Sequence, residues 1–278
     1  MEKTFTATNI SFVFVPLSIA DFGGWLKNID TGVELDPNYR LFVMDSVAPK
    51  RYLKTRPGNW KAIKNKFLDK GSEELCLGDG ILGRGEKISS EFLEIFCDTD
   101  VGKSAGEFFP YNFGPELPSD QTSDDEKSLC FDGNRLEKGK NIVGAPTLNL
   151  VLSSDKSLAQ LAIRLCDVRP DGTSALITHG FLNLAMADAF EKPKRLEVGK
   201  KTKVMISLDQ IAYYVPEGHR IRVAISTSYW PFIWPSPEKA RIKVFSGSLK
   251  LPRDVNEKLG KHKFFEGPVF GKAWDCSV

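Results

Sequence analysis

From Arg220 to Tyr229 the chain sets apolar residues (Ile221, Val223, Ile225) at every second position between charged or small ones, the period of a half-buried strand. The same grammar marks strands at Tyr39–Asp45, Glu91–Cys97, Ile142–Leu152, Leu158–Val168, Ala175–Leu184, Lys203–Leu208 and Arg241–Leu249. Glu74–Arg84 reads as a hairpin folded at Gly78-Asp79-Gly80. Turns are marked at Ser153-Ser154-Asp155, Pro170-Asp171-Gly172, Gly199 and Glu217-Gly218. Helical periodicity is confined to Ala20–Gly32, where glycine cuts an amphipathic pattern after one or two turns. Even strand spacing with turns of Gly, Pro, Asp and Ser describes an antiparallel all-β sandwich or jelly roll.

Two stretches depart from this pattern. Lys50–Lys66 is basic and broken by proline, which reads as a surface segment. Asp98–Lys140 is rich in turn formers, with Phe108, Phe109, Tyr111 and Phe113 set among them, so it reads as one long loop of the kind that carries function or wraps a neighbour. After the Arg220 strand, Trp230 and Trp234 each precede a proline, and that position favours extended backbone. The segment to Pro237 is therefore expected as a stiff aromatic ribbon, its rings either covering the sheet end or walling a pocket.

Composition narrows the partners. The 278 residues hold 38 Lys and Arg against 36 Asp and Glu, a net charge of +2 that argues against nucleic acid or an anionic membrane. The apolar run from Ile10 to Ala20 holds a proline and is too short to span a bilayer, so it is expected as a folded edge segment rather than a leader. Cys76, Cys97, Cys130, Cys166 and Cys276 are odd in number and form no Cys-x-x-Cys pair. His179, His219 and His262 are as scattered, which points to a reduced, cytoplasmic protein with no metal site. No cofactor is expected.

Three motifs compete with plainer readings. Gly102-Lys103-Ser104-Ala105-Gly106 spells a nucleophile elbow, but an elbow must open a helix, and Glu107-Phe108-Phe109-Pro110 cannot, so a glycine-rich loop is expected. Gly78 to Gly83 spells a dinucleotide fingerprint without the βαβ unit it needs, and a hairpin turn is expected there. Asp120, Asp124, Asp125 and Glu126 are expected as a solvated loop that caps backbone rather than as a cation site. His219 is expected to be structural.

Several segments, in order and spacing, resemble the C-terminal part of the cocaine-esterase/X-Pro dipeptidyl-peptidase family of serine hydrolases. They are Asp120-Gln121 with Asp124-Asp125 and Ser128–Phe131, Val143–Pro146, Leu165–Ser174, Gly180–Leu184, Pro216–Arg222 and Tyr229–Pro237. The resemblance implies a jelly-roll domain of galactose-binding-like type that packs on an α/β-hydrolase domain. It also implies that the run Trp25–Gly32 matches the end of the last hydrolase helix, so that no triad residue is carried over. The expected organisation is a 1–36 extension with a remnant helix, a 37–253 jelly roll and a 254–278 tail.

The leading expectation is a binding or assembly module that docks on an α/β-hydrolase partner chain or forms a homodimer, because an uncovered apolar face invites a partner. The alternative is a site for a hydrophobic small molecule. It would be lined by Phe108, Phe109, Tyr111, Tyr229, Trp230 and Trp234, with His219, Asp167 and Asp209 as acid and base groups. The third is ester or amide hydrolysis by Ser104.

Overall fold

The computed structural model describes residues 26–27, 39–53, 55–63, 71–97, 99–108 and 116–252. In chain order the elements are β1 (Tyr39–Asp45), β2 (Gly58–Ile63), β3 (Ser72–Leu77), β4 (Ile81–Gly83), β5 (Leu93–Ile95), α1 (Thr122–Asp125), β6 (Leu129–Gly133), β7 (Lys140–Gly144), β8 (Thr147–Ser154), β9 (Gln160–Val168), β10 (Ser174–Asn183), β11 (Thr202–Ser207), β12 (Ile211–Val215), β13 (Arg220–Ser226) and β14 (Ile242–Pro252). A 3-10 turn at Leu184–Met186 follows β10. Leu26 and Lys27 are helical and exposed. The expectations for Ile10–Ala20, Phe109, Tyr111, Phe113, Cys276 and the tail from 254 lie outside the described residues.

The strands build two sheets. One has the order β2-β1-β12-β7; the other runs β10-β9-β13-β6-β4-β3-β14-β8-β11, with β5 added to β14. The larger sheet curls until its two ends meet. There Asp209 N–H donates to His179 O (2.9 Å) and Thr178 Oγ1 donates to Asp209 O (2.9 Å). Gly180 permits this approach, since a Cβ on it would fall 2.7 Å from Ser207 O. An edge that would otherwise offer free N–H and C=O groups is thereby covered. Between the layers the inward side chains are fully buried, among them Phe131, Leu148, Leu152, Leu161, Ile163, Leu165, Val223, Ile225, Ile242 and Val244. The fold is thus the all-β sandwich that the alternation predicts.

Differences fall where alternation is weak. β2 lies inside the supposed surface segment, because pairing with β1 and the edge-on contact of Trp60 with Phe42 (5.4 Å) supply what local pattern lacks. β6 interrupts the supposed loop on a three-residue apolar core, Leu129-Cys130-Phe131. Ile142–Leu152 is not one strand, since Pro146 has no N–H for the ladder and the chain changes sheets there, leaving β7 and β8. β12, Ile211-Ala212-Tyr213-Tyr214-Val215, sits between two strands and is buried or half-buried at every position, so it carries no alternation to read. The segment after Tyr229 turns rather than running out straight. Its Trp230–Pro231 bond is cis, Ile233 N–H donates to Tyr229 O (2.9 Å), and Phe232 packs back on Tyr229 (5.5 Å).

Candidate functional site

The outer face of the sheet half β10-β9-β13-β6 is polar where a free-standing sheet would be solvated, yet it is buried. Strand register puts Arg164 beside Ala224 and His179, and Cys166 beside Arg222, all on that face. The loop carrying α1 lies across it. Arg164 Nη1 stands 2.6 Å from Asp125 Oδ1, both side chains being out of solvent, and Nη2 donates to Ser128 Oγ (2.9 Å). Arg222 grips Asp132 through Nε and Nη2 (2.6 and 2.7 Å) and reaches Asp125 Oδ2 through Nη1 (3.1 Å). Gln121 accepts from Arg164 Nη1 and the Tyr229 hydroxyl at Oε1, while its Nε2 donates to Ser104 O (2.6 Å) and Ser119 O (2.8 Å).

Charges in such a site need both partners, because leaving one alone in low dielectric is costly. Burial opposes the Arg164 charge, but anionic neighbours, the Asp125 and Asp124 carboxylates among them, outweigh it and hold the guanidinium above its ordinary value. Bonds to Asp132 do the same for Arg222. Burial pushes the Cys130 thiol up to about 12 and raises Cys166 as well, so both are inert thiols. Within the acidic cluster Asp120 and Asp124 cap backbone N–H groups as expected and Glu126 is exposed, but Asp124 and Asp125 are buried, Asp125 in the clamp, rather than solvated. No metal-holding group of His, Cys, Asp and Glu occurs among the described residues.

An aromatic patch adjoins the clamp on the same face. His179 packs on Phe181 (4.9 Å) and Phe232 (5.1 Å), Phe232 packs on Tyr229, and Phe108 stands edge-on to Phe232 (5.7 Å). On the same turn Trp230 and Trp234 meet edge-on at 5.0 Å. The inner rings are covered, Tyr229 wholly, whereas Phe108 is 70%, Trp230 42% and Trp234 78% exposed. Gln160 Nε2 donates to Trp234 O (2.9 Å) and Trp230 N–H donates to Val101 O (3.0 Å), so the backbone under the exposed rings is tied to β9 and to the turn at Val101. Desolvation lowers the His179 pKa from 6.5, partly offset by Asp209, whose carboxylate lies 3.7 Å away.

Asp167 and His219 belong elsewhere. Asp167 follows Cys166 on β9 and so faces inward, where His219 Nδ1 (2.7 Å), Ser46 Oγ (2.6 Å) and the Tyr213 hydroxyl (3.0 Å) converge on its two oxygens. They occupy the end of the sandwich where β13 begins, and the Trp pair follows its other end. Seven residues of β13 span roughly 20 Å, so His219 and Trp234 do not face one site. Burial raises the Tyr213 hydroxyl far above its usual value, leaving it a neutral donor. Beside it lies an open groove of about 450 Å³, lined by Val47, Pro49, Lys50, Leu53, Arg56, Leu117, Leu176 and Tyr213 among others. A smaller hollow of about 320 Å³ lies near Gln160 and Pro235, and neither is lined by Phe108, Trp230 or Trp234.

Of the residues singled out from sequence, Phe108 and Tyr229 share one patch around Phe232, and Trp230 and Trp234, on the turn that carries Phe232, pair with each other. Asp209 joins the patch through His179, and His219 pairs with Asp167 at the far end. Gly102–Gly106 is a turn in which Ser104 N–H donates to Asp124 Oδ2 (3.1 Å) and Ser104 Oγ lies 3.4 Å from Ser123 Oγ. Among the described residues no imidazole hydrogen-bonds that hydroxyl, so the geometry there offers it no general base. Sequence reading missed Gln121, Arg164 and Arg222 as a clamp. The available signal was a lone arginine in the otherwise apolar Leu161–Cys166 run.

A family profile described as the X-Pro dipeptidyl-peptidase C-terminal non-catalytic domain matches residues 31–262. Cocaine esterase of Rhodococcus sp. (strain MB1 Bresler) is 25% identical over 166 residues, 58% of this chain and 29% of that protein. A CocE/NonD family hydrolase from Staphylococcus aureus superimposes with a TM-score of 0.61 at 14% identity, covering 84% of this chain and 45% of that one. An α-amino acid ester hydrolase gives 0.59 at 20% identity, covering 70% and 39%. The chain thus spans less than half the length of each of these relatives.

Proposed function

Because this chain belongs to the X-Pro dipeptidyl-peptidase C-terminal non-catalytic domain family, we propose that it is an assembly module that docks on an α/β-hydrolase through its aromatic patch. The observation that carries this reading is the pairing of exposed Phe108, Trp230 and Trp234 with a rigid mount. Exposed rings on tethered backbone bury large area at little ordering cost, which is how aromatic residues come to dominate interfaces. The Arg164–Asp125–Arg222–Asp132 clamp supports the reading by fixing the loop and sheet beneath the patch. Acyl chemistry is assigned to the partner and shape to this chain.

Hydrogen exchange of the protein with and without a purified α/β-hydrolase of its own source tests the reading. New protection at Trp230–Pro235 and around Phe108 is expected. Unchanged exchange there, with protection elsewhere or nowhere, would refute it.

A further inference from the structure

The groove beside Tyr213 has a composition that the assembly role does not use. Its walls are apolar, from Val47, Pro49, Leu53, Leu117, Pro118 and Leu176, yet Arg56 lies among them and Lys50 stands exposed at the lip. Arg56 sits over the Tyr213 ring (5.8 Å to the centroid), and its Nε is buried without an acceptor among the described residues. A buried donor left unpaired costs free energy until something accepts from it. The nearby carboxylates do not meet that need. Asp167 is already committed to Ser46, Tyr213 and His219, and Asp45 acts on Arg56 only through its field. Burial outweighs the field and hydrogen bond of Tyr213 and the fields of both carboxylates, so that Arg56 is held below its ordinary value.

We propose that this groove binds a small monocarboxylate with an apolar body, its carboxylate on Arg56 and its carbon skeleton between Leu53, Leu117 and Leu176. A guanidinium edge matches a carboxylate in two parallel hydrogen bonds. One deep cation, with Lys50 at the rim, balances a single negative charge, and the apolar walls leave a doubly charged phosphate without its hydration. The empty space of about 450 Å³ includes the open solvent at the mouth, so the carbon skeleton lies along the groove, partly in solvent, rather than enclosed in it. The site is separate from the aromatic patch, so its failure and that of the docking reading are distinguishable.

Calorimetric titration of the whole chain with sodium benzoate and sodium hexanoate is the test, with neutral benzamide and inorganic phosphate as controls. Saturable binding of at least one carboxylate at about 1 mM or tighter is expected, with benzamide and phosphate each about tenfold weaker or more. Arg56→Gln should weaken binding about tenfold, Arg56→Lys less, and Leu53→Glu, which sets a carboxylate at the rim without touching Arg56, by a similar factor. No saturable binding of either carboxylate overturns the proposal, as does benzamide binding equally well. Should Arg56→Gln fail to fold, undiminished binding by Leu53→Glu and Lys50→Gln overturns it on its own.

Discussion

Arg164 and Asp125 meet at 2.6 Å with side-chain exposures of 0% and 3%, on the outer face of a sheet that the α1 loop covers. Removing either partner strands the other charge in a dry site. Arg164→Met is expected to lower unfolding stability by about 3–5 kcal/mol, read by urea denaturation. The double variant Arg164→Met with Asp125→Leu should recover part of that loss only, since Asp125 also receives Arg222.

Gly102 carries a left-handed φ of 114°, and a Cβ there would collide with the Trp230 carbonyl. Gly102→Ala is expected to cost about 2 kcal/mol or more and to shift tryptophan emission, because the Trp230 turn must move. A melting temperature and spectrum matching the parent would contradict this placement.

His179 titrates below 6.5 because its ring is desolvated among Phe181, Phe232 and Tyr229. Between its folded value and 6.5 the unfolded chain binds the proton more readily, so stability rises with pH across that window and is lost on acidification. His179→Phe should flatten this dependence in denaturant midpoints taken below and above 6.5. An unchanged slope would sink the account of the patch.

Asp167 collects three donors, from His219, Ser46 and Tyr213, in the interior. Asp167→Ala orphans them and should cost about 3 kcal/mol, whereas His219→Asn, which keeps a donor, should cost about 1 kcal/mol. If His219 instead served chemistry, its loss would leave stability untouched.

Strands that bury one face were legible from alternation alone, as Thr202–Ser207 shows. Ile211–Val215, buried or half-buried at every position, was not, because it reads as any apolar run does. The Trp230 and Trp234 rings were legible as candidate site residues because large apolar groups beside proline are conspicuous. Their separation from His219 was not legible, since it depends on β13 standing between them. The clamp escaped notice because its four charges, Asp125, Asp132, Arg164 and Arg222, are spread over nearly a hundred residues and are joined only by strand register.

The docking claim is tested most directly by sedimentation velocity of the protein from about 1 to about 100 µM, alone and with the α/β-hydrolase of its own source. The account predicts a complex whose formation is lost in the Trp230→Ser, Trp234→Ser double variant. A single Trp234→Ser change, at a side chain 78% exposed, should alter stability by no more than about 0.5 kcal/mol and yet weaken the complex, a loss that unfolding would not explain. A monomer under every condition, or a double variant that assembles as the parent does, would contradict it.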